Sequence, residues 1–250
     1  MTFNTGKPLG GLLVTALLGG SALAQSNPDA EARFTMGVTN LREGRLDMAL
    51  EDFQKAAKLD PKNPYVMKGL GQAYAAKRRW TDAISAFRKA LELNPYYVDV
   101  RNDLGTVLIL SGDREGGKKE FLTAFGDPTN PTPEISARNL GQAYLESKDY
   151  PQAINWFRTS LSRNKSYADA YLGLAEGLLA TGRQDEAVIQ LEAGAKETPA
   201  DPSLQLALGQ AYFKVGRFTE ARARLEETVK KDPDGAAGRR AADVLKELPR

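Results

Sequence analysis

Gly112-Asp113-Arg114-Glu115-Gly116-Gly117-Lys118-Lys119 comes within one residue of a phosphate-binding loop. Such a loop cradles phosphate on backbone N–H groups and needs Ser or Thr after its lysine to hold magnesium. Lys119 stands there instead, and Leu108 to Leu110 before the loop read as helix, not strand. Gly69-Leu70-Gly71 opens a dinucleotide-like pattern, but Tyr74 fills the place of the third glycine. Glu226-Glu227 lies among Arg and Lys in a helical stretch, where carboxylates serve solvation and i,i+4 pairing. The chain has no cysteine, so no thiolate nucleophile or disulfide forms. Nor does it have histidine, which removes Cys/His zinc sites, the Ser-His-Asp triad and the usual near-neutral proton shuttle. Carboxylate chemistry alone stays open. The residues point away from an enzyme, and no cofactor is expected.

The elements that must position these residues follow from spacing. Small residues recur at Ala49, Ala83, Gly117, Ala153, Ala187 and Ala221, with intervals of 34, 34, 36, 34 and 34. Four residues after each stand Phe53, Phe87, Phe121, Phe157, Leu191 and Leu225. Twelve before each stand Gly37, Gly71, Gly105, Gly141, Ala175 and Gly209, preceded by apolar Met36, Leu70, Leu104, Leu140, Leu174 and Leu208. Two amphipathic helices per repeat that cross closely require this pattern. A small residue lets the backbones approach, and the aromatic residue one turn on fills the space between. Asp60-Pro61, Asn94-Pro95, Asp201-Pro202 and Asp232-Pro233 are expected to end repeats, since proline disfavours helix at the residue before it. Gly44, Gly112, Gly182 and Gly216 mark the turn inside a repeat.

These residues resemble the tetratricopeptide repeat, most clearly in Leu70-Gly71, Tyr74, Ala83, Phe87, Ala90 and Pro95. The resemblance implies an all-α fold, a right-handed superhelical α-solenoid of six helix pairs. Their expected bounds are 30–63, 64–97, 98–133, 134–167, 168–201 and 202–235, with a capping helix and tail at 236–250. Asn40 departs from the tyrosine of repeats two, four and six, and Lys165 from the closing proline. The proline-rich stretch 126–133 is the one place where the period lengthens, and this stiff bridge reads either as a tolerated insertion or as a bend dividing two three-repeat halves.

Residues 1–24 are read apart from the fold. Lys7, the apolar run Leu9 to Leu18 and Ala22-Leu23-Ala24 form a signal peptide with cleavage expected before Gln25, leaving a short linker at 25–29. The run is short of the ~20 residues that span a bilayer. The expected location is the periplasm, without an intrinsic membrane anchor. Net charge is +2, with 34 basic and 32 acidic residues interleaved, so nucleic acid is not an expected partner.

Helical spacing sends the remaining positions of each first helix to the side away from the packing residues. They are Phe34, Val38, Leu41, Lys68, Gln72, Asn102, Thr106, Arg138, Gln142, Leu172, Glu176 and Phe213. Ile109, Leu110, Leu145, Leu179, Leu206 and Gln210 belong to the same set. Apolar residues at solvent-facing positions imply a bound protein or peptide segment of apolar or amphipathic character, or cover by the chain itself. Phe34, Val38 and Leu41, at i, i+4 and i+7, form the expected anchor. The segment from Phe121 through Leu140-Gly141 to Phe157 also resembles the type IV pilus biogenesis/stability (pilotin) family. That resemblance implies a periplasmic assembly factor for an outer-membrane secretin or pilus. Members are lipoproteins anchored through an N-terminal cysteine, and this sequence has no cysteine. A general periplasmic adaptor for another envelope or export complex is the alternative.

Overall fold

The computed structural model describes residues 27–249, so the leader expected at 1–24 lies outside the described residues. The described chain is helical, without strands. Its helices are α1 (Pro28–Arg42), α2 (Leu46–Leu59), α3 (Pro64–Ala76), α4 (Trp80–Leu93), α5 (Val98–Ser111), α6 (Arg114–Gly126), α7 (Pro133–Glu146), α8 (Tyr150–Arg163), α9 (Ala168–Ala180), α10 (Gln184–Glu197), α11 (Pro202–Lys214), α12 (Phe218–Lys231) and α13 (Ala236–Glu247). Odd-numbered helices are the first of each pair and even-numbered helices the second, with α13 added at the end. The chain forms two compact units, one running to Pro131 and the other starting at Thr132. The boundary falls inside the proline-rich bridge. In the first unit that bridge opens with a fixed turn. Thr129 N–H donates to Asp127 Oδ1 at 2.8 Å, and Asn130 Nδ2 donates to the Ala124 carbonyl at 2.7 Å.

Helix ends follow local chemistry. Asn63 and Asp201 cap α3 and α11, each accepting two backbone N–H groups, with proline in the next position where a missing N–H costs nothing. Asp201-Pro202 therefore stands between two pairs: α10 has ended at Glu197 and α11 opens at Pro202. The missing proline at Lys165 has no visible effect. Asn164 accepts from Ser166 N–H at 3.0 Å, as Asn94 does from Tyr96 N–H at 3.1 Å, so the asparagine closes the helix in both places. The turn inside each pair needs one left-handed residue. Gly44, Gly112, Gly182 and Gly216 supply it at φ 73° to 100°, but Arg78 and Lys148 take the same place at φ 55° and 60°.

The repeating packing residues form the core. Phe53, Phe87, Phe121, Phe157, Leu191 and Leu225 are fully buried, each contributing about 1.5–3 kcal/mol. The close approach expected of Gly71 is made by the Phe87 ring: a Cβ on Gly71 would lie 2.5 Å from Phe87 Cε1. In the third repeat the backbones themselves meet, with a Cβ on Gly105 reaching 3.0 Å from the Gly117 carbonyl oxygen. Leu70, Leu104, Leu140, Leu174 and Leu208 are buried as expected, but Met36 is 49% exposed. Among the described residues no helix precedes α1, so nothing there covers its outer face. At the other end α13 buries Ala237, Ala241 and Val244 against α11 and α12 and turns Arg239 and Arg240 to solvent.

Candidate functional site

Within each unit the first helices of neighbouring pairs lie side by side, and several of the residues expected to face a groove lie at these seams. In the first unit the seam between α3 and α5 is polar. Lys68 Nζ lies 3.4 Å from Asp99 Oδ2 and 5.1 Å from the centre of the Tyr97 ring. One turn on, Gln72 Nε2 donates to Asp103 Oδ2 at 3.0 Å. Tyr65 packs edge-on against Tyr97 with ring centres 5.5 Å apart. Burial pushes the Asp103 carboxyl up to about 6, opposed by the charge of Lys68 and the bond from Gln72. The Tyr97 hydroxyl is buried without a hydrogen-bond partner. Burial, then the acidic neighbours Tyr65, Asp99 and Asp103, raise its pKa.

Several expected solvent-facing residues are in fact inside. Lys68 is buried because its long side chain lies in the seam of α3 and α5 rather than on top of it, and Asn102 is buried too. Ile109 and Leu145 are buried as well, so they belong to the cores of their units. Thr106 is half-buried and turns its hydroxyl to the Asn102 carbonyl, while Leu110 stays exposed. Phe34, Val38 and Leu41 do share one face, but that face is half-buried against the core of the first unit. The Phe34 ring is 5.8 Å from that of Phe53. This corrects the expectation that Phe34 and Leu41 stand clear of the repeat's own core.

Beneath them lies a polar network that the sequence pattern did not announce. Asp52 is buried and accepts from Arg33 Nη1 at 3.0 Å and from Asn40 Nδ2 at 2.8 Å. Arg45 Nε in turn donates to Asn40 Oδ1 at 2.8 Å. In the sixth repeat the tyrosine in Asn40's place, Tyr212, stacks under Arg217, with Cζ 4.3 Å from the ring centre. Asn40 thus meets the same turn arginine by a hydrogen bond instead of a ring face.

The second unit has a different surface. Arg138 Nη2 reaches Asp169 Oδ2 across the seam of α7 and α9 at 3.1 Å, repeating the Lys68–Asp99 pairing at the same 31-residue offset. Gln142 donates to Glu146 on its own helix at 3.2 Å. Glu176 is half-buried and its pKa is raised by that burial and by the nearby charge of Glu146. Leu172, Leu179, Leu206 and Phe213 are half-buried on the core, and Gln210 is half-buried too. Phe213 packs at 5.9 Å against Phe218, which is 41% exposed. The acidic partners Asp99, Asp103 and Asp169 were missed by sequence reasoning. The available signal was a basic or amide residue 31 positions before an aspartate, which places both on adjoining first helices.

The three residue patterns that resemble chemical motifs have structural roles: Gly69 and Gly71 lie against the Phe53 and Phe87 rings. Gly112 caps α5 and Asp113 caps α6, so the glycine-rich run is a helix-to-helix turn. Glu227 pairs with Arg224 and Lys231 on its own helix. Among the described residues no helix is long and apolar enough to cross a membrane.

The chain spans 83% of its length in an alignment with the CTR9 homologue of Arabidopsis thaliana, 25% identical over 218 residues, but only 20% of that relative. Its fold is similar to that of PilW, described as a widely conserved type IV pilus biogenesis factor. That match has TM-score 0.70 and 19% identity over 85% of this chain and 98% of PilW. PilF of Pseudomonas aeruginosa gives TM-score 0.67 and 20% identity, over 87% and 98% of the two chains. Two tetratricopeptide-repeat models match the sequence, one at residues 20–64, 34–98 and 68–115 and the other at 144–207 and 190–245. With those matches and the paired-helix geometry together, the chain belongs to the tetratricopeptide-repeat family.

Proposed function

We propose that this chain is a periplasmic protein-binding scaffold, acting like a pilotin in the assembly of an outer-membrane secretin or type IV pilus. The observation that supports this reading most is the extent of the structural likeness: nearly all of PilW and of PilF is covered, not a few shared repeats. The sequence resemblance across the bridge and the leader-like residues 1–24 point the same way. Binding rather than catalysis is the work proposed. The bound segment is a protein or peptide of amphipathic or apolar character, seated along the first helices.

Affinity capture from cell-envelope extracts, using the full chain as bait, tests the proposal. Recovery of secretin or pilus subunits supports it. Recovery of a different envelope complex would favour the general adaptor instead. N-terminal sequencing of the native protein checks export: a start at Gln25 is expected, and retention of residues 1–24 would remove the periplasmic assignment.

A further inference from the structure

We propose that the seam between α3 and α5 is a specificity pocket for one basic side chain, lysine or arginine, of the bound segment, held by Asp103, Asp99 and the Tyr97 hydroxyl. The inference rests on the protein-binding reading above and names the chemistry that the bound segment must bring.

The first observation is an incomplete polar set. An ionised carboxylate has about four lone-pair sites. Asp103 accepts a hydrogen bond from the neutral Gln72 amide, and Lys68 is held by Asp99 instead. The second is the Tyr97 hydroxyl. Tyr97 is 9% exposed, its oxygen has no partner, and it lies where the charges of both Asp99 and Asp103 reach it. A buried hydroxyl left without a partner is destabilising, and its oxygen is able to accept an N–H group.

The third observation is that stacking does not require an acid here. The same place in repeats two and five is Gly69 and Gly173, each seated directly against the phenylalanine ring of the previous pair. Asp103 is therefore a departure from the packing pattern that brings charge into a seam. Residues that oppose stability in this way are found where function needs them.

The ligand chemistry follows from the charges. Two carboxylates against one ammonium leave the cluster net negative, which disfavours an anionic group. A neutral group would leave the charge of Asp103 uncompensated. A cation with several N–H donors answers both the carboxylate and the Tyr97 oxygen. The half-buried Phe34, Val38 and Leu41 lie on α1, the first helix next to α3, and supply apolar surface on that side. The matching segment carries a lysine or arginine among apolar residues.

Random twelve-residue peptides displayed on phage, selected in parallel on the full chain and on its Asp103→Asn variant, test this. Asparagine keeps the shape and still accepts from Gln72 but carries no charge. The natural chain should enrich peptides with Lys or Arg at one fixed place among apolar residues, and the variant should not. For one such peptide, calorimetry should show at least tenfold weaker binding to Asp103→Asn, to Tyr97→Phe, and when its basic residue is replaced by glutamine. Thermal melts of Asp103→Asn at or above the natural temperature would show that the loss is not unfolding. If both proteins enrich the same peptides, or none with a basic residue, the pocket is overturned while protein binding stands. If neither enriches any peptide, the protein-binding reading falls and this inference with it.

Discussion

The seams α3–α5 and α7–α9 are built from corresponding positions of two repeat pairs, and one of the positions at which they differ changes the inner layer. In the second unit it is Gly173, and the Phe157 ring lies so close that a Cβ would sit 2.2 Å from Cζ. In the first unit it is Asp103, whose carboxyl sits among Lys68, Gln72 and Asp99. Both seams keep the outer ion pair, Arg138–Asp169 in one and Lys68–Asp99 in the other. The inner layer is sealed by a ring in one unit and left polar in the other. A solenoid can thus hold its fold through the second-helix phenylalanines while one first-helix residue changes what a surface can bind.

Transplanting the difference should have the largest effect. Gly173→Asp would drive a side chain into the Phe157 ring and place a charge in an apolar core. Overpacking alone costs about 1–3 kcal/mol, and an unpaired buried charge adds to it. We expect a loss of at least ~3 kcal/mol and a fall in melting temperature of roughly 10 °C or more. A variant that melts with the natural chain would mean that the two seams are interchangeable.

Phe34→Ala sharpens the reading of the first unit's apolar face. Its ring is half-buried against Phe53, so removal should cost about 2 kcal/mol, less than a fully buried phenylalanine. Urea unfolding would measure it. No change in midpoint would return Phe34 to a purely exposed role.

Asp103→Asn should act in the opposite direction. The folded-state carboxyl titrates near 6 and the unfolded one near 3.8, so the folded chain holds the extra proton between those values. Stability from this group therefore rises as pH falls from about 6 to 3.8, and the penalty is fully present above 6. At pH 7.5 the variant should be more stable by about 1–2 kcal/mol, with the gain gone by pH 3.8. Denaturation series at several pH values would show the convergence; a gain that does not depend on pH would contradict the assignment.

The smallest expected effect tests what the two units share. Arg78 and Lys148 occupy the left-handed turn position that glycine fills in the other four repeats. Arg78→Gly and Lys148→Gly should each stabilise by ~0.5 kcal/mol, since relief of strain slightly exceeds the added freedom of the unfolded chain. Equal gains in both units are expected because the turn is local. Calorimetric melts of the two variants provide the check.

The repeat architecture was legible because its determinants are local and periodic. Gly71, Ala83 and Phe87 recur in kind at fixed spacing, since each pair of helices must solve the same crossing. The terminal helix at 236–247 was legible for a similar reason: a short amphipathic stretch must cover the last pair. Helix phase also placed Phe34, Val38 and Leu41 on one face.

How far each side chain reaches across a seam is not written in phase. Lys68 and Asn102 share the phase of solvent-facing positions, yet both are buried. Met36 has the phase of a packing residue, yet no described helix lies beyond it to pack against. The sequence by itself determined the helices, their pairing and the buried phenylalanines, because their packing residues recur at a fixed spacing. Tertiary structure alone decided that Asp103 meets Gln72 and Lys68, that the Tyr97 hydroxyl goes without a partner, and that Asp52 gathers Arg33 and Asn40. These depend on distances between side chains of different helices, which spacing along one helix does not contain.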